Sequence, residues 1–142
     1  MVDNDCIFCQ IAEKKIPSKI LYEDEKNLAF LDIYPIFKGH TIVIPKTHYL
    51  NLEEIPETEL IETYKVVKEL ATLIHTKLEI DGYNILQNNF EAAGQVIQHF
   101  HVHIIPRSKN DGRFKLIIPR EQASDEELTK VLNILRKKEQ IS

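Results

Sequence analysis

Residues 98–106 read QHFHVHIIP, with His99, His101 and His103 alternating with Phe100, Val102 and Ile104. Alternation at period two is the pattern of a strand, whose neighbouring side chains point to opposite faces. The spacing predicts a strand over 98–106, with Phe100, Val102 and Ile104 turned to a core and the three histidines in one row. Residues two apart on a strand stand ~6–7 Å from each other, so one small ligand can touch two imidazoles. An ordinary half-buried strand needs only a polar face, and Thr, Lys or Glu would serve there. Three of the chain's six histidines in register point to chemistry instead, because imidazole acts as nucleophile, base or metal ligand near neutrality.

Working outward, short elements surround this strand. The start, CIFCQIAEKKIPSKI, predicts a short helix ended by Ile16-Pro17, since proline disfavours helix at the residue before it. Strands are expected at Ile20–Glu23, Leu28–Asp32 and Thr41–Ile44, with the turn Tyr34–Gly39 between the last two. Their connections are too short for parallel crossovers, which makes them an antiparallel meander. From Glu57 to about Glu79, apolar Leu60, Tyr64, Val67, Ala71, Ile74 and Leu78 recur by threes and fours, the stripe of a long helix. Glu57 and Glu59 sit in its first turn, as the helix dipole favours. His75 lies beside the stripe and is assigned no chemistry. A strand over Tyr83–Asn88 and a loop over Asn89–Ile97 lead into the histidine strand. Ser124 and Glu127 form a capping box for a tail helix, which closes on Arg136, Lys137 and Lys138. This order of elements is α+β.

A chain of 142 residues fits one domain with a real core. Its 43% hydrophobic and 28% charged residues are ordinary for a globular protein. A net charge of −4 argues against nucleic-acid or membrane-surface partners, which call for a basic face. No apolar run nears the ~20 residues of a membrane span, and no Arg/Lys-flanked apolar leader is visible. The expected compartment is the cytosol. Cys6 and Cys9 form a C-x-x-C pair that could be a redox couple, two inert thiols or half of a metal site. Tetrahedral zinc commonly combines such a knuckle with two further ligands. From the residues alone, those two could be any of the six histidines.

Three features flank the histidine row. Gly94-Gln95 lies just upstream, where glycine lets the backbone approach a ligand and Gln95 offers either an amide donor to an anion or a solvated loop amide. His40, in Lys38-Gly39-His40, stands at a strand entrance as a turn residue or a fourth site histidine. Asp32 ends an apolar strand, where a carboxylate caps a turn or holds ligand hydroxyls.

Together GQVIQHFHVHIIP, CIFCQI, IPSKILYEDE and LAFLDIYPIFKGHTIVIPKTH resemble the histidine-triad (HIT) nucleotide-binding family over residues 6 to about 106. The resemblance implies a HIT-like fold: a five-stranded antiparallel sheet with one long helix, in a homodimer. The HIT domain is expected over 1–106, and the tail at 107–142, which matches no family pattern, is expected to pack its helix on the same domain. It also implies a hydrolase or nucleotidyl transferase acting at the α-phosphate of purine nucleoside phosphoramidates or dinucleoside polyphosphates. His101 would form a nucleotidyl-histidine, which is sound chemistry because neutral imidazole splits one hard displacement into two easier ones. His103 would hydrogen-bond the phosphate or leaving group, with His40 close behind. Asn88 and Gln95, with the amides around Gly94, Gln95 and Val96, would hold phosphate oxygens. Asp32 would take the ribose hydroxyls, and Phe8, Ile11, Phe30 and Ile33 would form a slot for the base or simply fill core.

For the cysteines, the resemblance implies structural zinc held by Cys6, Cys9, His48 of PKTH and His99. One departure stands out. Many members carry Ser or Thr directly after Gly-Gln, whereas here Val96 offers only its N–H, so assistance to the leaving group should be weaker. Two other functions remain open: a nucleotide-binding module with little turnover, and a metal-dependent hydrolase that uses the histidine row as ligands. Basic Arg107, Lys109, Arg113 and Lys115 beyond the triad either receive the outer phosphates of a long substrate or face solvent.

Overall fold

The computed structural model describes residues 3–113 and 118–136. Five strands, β1 (Ile20–Glu23), β2 (Asn27–Leu31), β3 (Thr41–Pro45), β4 (Gly82–Leu86) and β5 (Val102–Arg107), form one antiparallel sheet in the order β1-β2-β3-β5-β4. Helix α1 (Ile7–Ala12) precedes them, α2 (Glu57–Lys77) connects β3 to β4, and α3 (Asp125–Leu135) follows β5. The α+β architecture expected from the element order is the one found.

The two faces of the sheet are read directly from its side-chain alternation. Ala29, Val43, Val102 and Ile104 point to one face and pack with Val66, Val67, Leu70, Ala71 and Ile74 of α2. Leu28, Phe30, Ile42 and Ile44 point to the other and pack with Phe8, Cys9 and Ile11 of α1. β3, TIVIP, is therefore buried along its whole length, and its run of β-branched residues suits a central strand covered on both faces. Register aligns Phe30 with Ile42, and Ile42 with His103, placing these three side chains in one row across the α1 face.

The buried stripe of α2 is Thr63, Val66, Val67, Leu70, Ala71 and Ile74, and differs from the expected one. Tyr64 and Leu78, assigned to it from spacing, are each 38% exposed. The stripe is rotated because Thr63 belongs to it: its hydroxyl donates to Asn27 Oδ1 at 2.7 Å, deep between α2 and β2. A satisfied hydroxyl is cheap to bury, and apolar counting passes over it.

β5 begins at Val102, four residues later than the strand expected from 98. Its ladder to β3 stops at the Val43–Val102 pair, while the Phe100 N–H leaves the sheet to donate to the Tyr49 carbonyl at 2.6 Å. Alternation still holds, since Phe100 and Val102 are fully buried on the α2 side. At the other end β5 runs one residue past the expected boundary at 106. Arg107 is then locked to Asp111 by two 2.9 Å bonds and to Asn84 Oδ1 at 3.0 Å. A cation held this way is committed to closing the turn after β5, so Arg107 is no receiver of outer phosphates. Lys115, Lys137 and Lys138 lie outside the described residues.

Ser124 caps α3 as expected, its Oγ accepting from the Glu127 N–H at 3.2 Å. The expected packing of this helix on its own domain is not what is found. No residue of α3 is buried, and Leu128, Val131, Leu132, Ile134 and Leu135 are 43–58% exposed.

Candidate active site and metal centre

Burial and backbone geometry define the state of each triad imidazole. His101 is 5% exposed, and its Nδ1 lies 2.7 Å from the His99 carbonyl. A carbonyl only accepts, so Nδ1 carries the proton and Nε2 keeps its lone pair. Burial pushes the His101 pKa below the ordinary 6.5, which keeps the ring neutral and nucleophilic at neutral pH.

His40 and His103 form a second, directional unit. The Ile36 N–H donates to His40 Nδ1 at 3.1 Å, and His40 Nε2 lies 2.9 Å from His103 Nδ1. With Nδ1 accepting, neutral His40 holds its proton on Nε2 and donates it to His103. Neutral His103 in turn carries its proton on Nε2. The adjoining rings thus complement each other, with a lone pair on Nε2 of His101 and an N–H on Nε2 of His103. Their ring centroids are 4.9 Å apart. Burial, with His101 and His40 nearby, pushes the His103 pKa down to about 4. Burial also lowers that of His40, against the opposing pull of Asp32. Asp32 Oδ2 stands 3.6 Å from His40 Nε2, while Oδ1 accepts from the Tyr34 N–H at 2.8 Å. Asp32 therefore caps its turn and also faces the histidine pair.

A cleft of about 410 Å³ opens onto His101 and His103. Its walls include Phe8, Ile11, Phe30, Asp32, Ile33, Gly94 and Val96. Phe8, Ile11 and Phe30 are buried in its floor, while Ile33 and Val96 stand at its mouth, 79% and 83% exposed. Phe8 meets His101 edge-on at 5.0 Å between ring centroids. The cleft also takes in Ile16, Pro17, Ser18, Tyr34 and Ile42, which the sequence reading left out of the site. Ile42 could have been found only from register, since its pairing opposite His103 sets it beside the triad.

Two expected phosphate ligands lie outside these walls. Gln95 is 3% exposed and fully engaged: Nε2 donates to the Leu50 and Ile97 carbonyls at 2.6 and 3.1 Å, and Oε1 accepts from the Phe90 N–H at 2.8 Å. Its amide holds the loop before the triad in shape, which corrects its assignment as a side-chain donor to phosphate. Asn88 Nδ2 donates weakly to the Gly94 carbonyl at 3.4 Å. Gly94 has φ +94°, a left-handed conformation that favours glycine and turns the chain after the 3-10 turn Glu91–Ala93.

Cys6, Cys9, His48 and His99 converge at the opposite end of the same row. Nδ1 of His99 is 3.3 Å from Cys6 Sγ, 3.5 Å from Cys9 Sγ and 3.2 Å from His48 Nδ1, and Cys9 Sγ is 3.4 Å from His48 Nδ1. For bonds of ~2.05 Å to nitrogen and ~2.3 Å to sulfur, the edges of a zinc tetrahedron are ~3.3 and ~3.6 Å. The four donors therefore fit a zinc ion. The His99 Nε2–H donates to the Pro45 carbonyl at 2.8 Å, which turns the Nδ1 lone pair inward as metal ligation requires. Burial pushes the Cys9 thiol up to about 11. A thiol raised in this way becomes a thiolate readily only beside a cation, and two thiolates neutralise a divalent one. The Asp3 N–H donates to Cys9 Sγ at 3.3 Å and the Cys9 N–H to Cys6 Sγ at 3.4 Å.

A five-stranded antiparallel sheet whose last strand is led in by alternating histidines, two of them facing an apolar cleft, defines a class, and comparison with known proteins identifies it. The HIT domain pattern matches residues 13–110, and the chain belongs to this family. It is 52% identical over 107 residues to a HIT-like protein of Methanocaldococcus jannaschii, covering 75% of this chain and 82% of that protein. It is 39% identical over 132 residues to adenosine 5'-monophosphoramidase of Saccharomyces cerevisiae, covering 92% and 80%. It is 43% identical over 110 residues to adenylylsulfatase of Arabidopsis thaliana, covering 78% of this chain and 56% of that protein. Among solved structures, a HIT family member from Bacillus subtilis superposes with a TM-score of 0.88 at 40% identity, covering 96% of this chain and 97% of the other. A zinc-bound histidine-triad protein from Mycobacterium smegmatis superposes with a TM-score of 0.74 at 35% identity, covering 91% of each. Among the described residues, no helix is long and apolar enough to cross a membrane.

Proposed function

We propose that the protein is a hydrolase that transfers a nucleotidyl group to His101 and then to water, acting at the α-phosphate of purine nucleoside phosphoramidates or dinucleoside polyphosphates. The observation that carries this reading is the 2.7 Å contact of His101 Nδ1 with the His99 carbonyl, which reserves Nε2 as a nucleophile at the cleft. The base lies in the slot of Phe8, Ile11, Phe30 and Ile33, and Asp32 faces the ribose. Nε2 of His101 bonds to the α-phosphorus as the bond to the leaving amine or phosphate breaks. The His103 Nε2–H, fixed in that tautomer by the His40 Nε2–H at 2.9 Å, hydrogen-bonds the departing atom, which leaves with a proton drawn from solvent. Main-chain amides around Gly94, Gln95 and Val96 take up charge on the phosphoryl oxygens. Water then breaks the N–P bond, releases the nucleoside monophosphate, restores the Nε2 lone pair of neutral His101 and gives one proton back to solvent. The two relatives that are named as a monophosphoramidase and an adenylylsulfatase support chemistry of this kind.

Zinc at Cys6, Cys9, His48 and His99 would tie the N-terminal segment to the sheet without touching substrate. We also infer a homodimer. β4 is an edge of the sheet, its Tyr83 and Ile85 are 39–40% exposed, and Ile61, Tyr64 and Leu73 of α2 are 38–48% exposed. Buried paired thiols suit the reducing cytosol.

Asp32, His40 and His103 also lie close enough together to hold a cation, which favours a metal-dependent hydrolase as the second reading. One experiment separates the two. Intact-protein mass is measured after brief mixing with adenosine phosphoramidate or a diadenosine polyphosphate and quenching without acid. A nucleoside-monophosphate adduct in wild type and none in His101→Asn is the expected result. Turnover without an adduct that is abolished by chelation in a still-folded chain would establish the metal reading. Monophosphate binding with neither adduct nor turnover would leave a receptor.

A further inference from the structure

His99 belongs to two sites at once. Its ring faces Cys6, Cys9 and His48, while its main-chain carbonyl accepts the Nδ1 proton of His101. That carbonyl lies outside the sheet, because the ladder of β5 begins only at Val102. What holds it in place is the cluster itself, through three routes. The His99 side chain is anchored between the cluster and the Pro45 carbonyl at 2.8 Å. His48 is followed by Tyr49, whose carbonyl accepts from the Phe100 N–H at 2.6 Å, midway between the two histidines. Cys9 is preceded by Phe8, whose ring touches those of His99 and His101 edge-on at centroid distances of 5.9 and 5.0 Å. Each of these three cluster residues is thus at most one peptide bond from a contact that mounts the 99–101 segment.

We propose that His99 is a positioning residue for the nucleophile, and that the Cys6–Cys9–His48–His99 cluster, closed by a metal ion, clamps the 99–101 segment so that the His99 carbonyl selects the Nδ1–H tautomer of His101. The proposal rests on the reading of His101 as nucleophile and of the cluster as a metal site. Released from that carbonyl, a neutral imidazole exchanges between tautomers, and the Nε2–H form presents no lone pair to phosphorus at that atom. The metal centre then governs catalysis from the far end of the row without contacting substrate. Loss of metal should slow chemistry more than it weakens nucleotide binding, since Phe30, Asp32 and Ile33 belong to β2 and the turn after it rather than to α1.

The test compares full-length protein loaded with zinc, stripped by chelator, and reloaded. Long-range ¹H–¹⁵N spectra at one fixed pH read the His101 tautomer, single-turnover mass spectrometry reads the rate of adduct formation, and titration reads the affinity for adenosine monophosphate. The expected result is a pure Nδ1–H pattern with zinc and an averaged pattern without it. Loading slows by about tenfold or more, as for outer-shell partners in metal sites, monophosphate affinity changes by less than about threefold, and zinc restores the first two. If stripping unfolds the chain, His48→Asn makes the same comparison in a folded protein with a weakened cluster. An unchanged Nδ1–H pattern in a folded, metal-free chain would overturn the proposal, as would protein that binds no metal at all. If no adduct forms even with zinc bound, the nucleophile reading fails, while the tautomer comparison still decides whether the cluster sets the state of His101.

Discussion

On its α2 face the sheet meets Val66, Val67, Leu70, Ala71 and Ile74, and the polar contact buried there is the closed Thr63–Asn27 pair. The α1 face is buried almost as well, yet beside Leu28, Phe30, Ile42 and Ile44 it holds Cys6, Cys9, His99 and His101, with His103 at its edge. Groups on the first face have no better state than the folded one. On the second, the fold keeps His101 and His103 from a proton they would take up in acid if exposed, and it gathers thiols and imidazoles that a metal would bind. Stability on the α2 face should therefore be insensitive to conditions, and on the α1 face it should depend on pH and metal.

The largest expected effect lies on the α2 face and tests its independence. Leu70→Ala removes a side chain that is 5% exposed in the middle of α2, and truncation of a buried leucine costs about 2–5 kcal/mol. Urea unfolding should show that loss. At temperatures where the variant stays folded, zinc content and the rate of adduct formation should match wild type. If Leu70→Ala strips the metal or stops adduct formation, the two faces are one cooperative device and the contrast breaks.

A smaller effect comes from acid and belongs to the α1 face. An unfolded histidine takes up a proton near 6.5, whereas native His103 resists until about 4. The unfolded chain therefore binds more protons between those values, and stability is lost as the pH falls through that window. The shift corresponds to ~3 kcal/mol in full, and partial exposure to solvent leaves about 1–2 kcal/mol. His103→Gln should flatten the acid side of the stability curve by that amount. The lowered His101 pKa also predicts that loading of the enzyme stays constant through pH 6.5 and declines only below it. A rate that falls with a midpoint at or above 6.5 would show that His101 is not buried as described.

Much of this contrast was legible in the sequence, because period-two alternation sorts side chains onto two faces whether or not hydrogen bonds accompany it. That is also why the start of β5 was misplaced. The segment 99–101 alternates correctly, but its partners are the Tyr49 carbonyl and the cysteine–histidine cluster, and alternation says nothing about partners. Thr63 was missed on α2 for a related reason, since its burial depends on Asn27, thirty-six residues away. Gln95 was legible as a motif and ambiguous in role, as one amide can bind a phosphate equally well or hold a loop. The ends of its three hydrogen bonds, at Leu50, Phe90 and Ile97, are fixed only by the fold. The cysteine–histidine cluster was chosen from six histidines through resemblance, and the convergence of its four donors supports that choice.

The smallest effect sharpens the contrast within the cleft itself. Val96 is 83% exposed at the mouth, and its side chain brings no donor to the reacting phosphate. Val96→Ser adds a hydroxyl where the backbone already faces substrate. One hydrogen bond made to a departing group contributes about 1 kcal/mol, or roughly fivefold in rate. Because Val96 is exposed, the substitution removes no packing, so stability should be unchanged while adduct formation quickens. The gain should be larger for a poor leaving group than for a good one, since only the poor one depends on outside help to depart. A slower or unchanged rate would mean that the His103 N–H, held in place by His40, already gives the leaving group all the assistance it can use, and that its departure is governed from the floor of the cleft rather than from the rim.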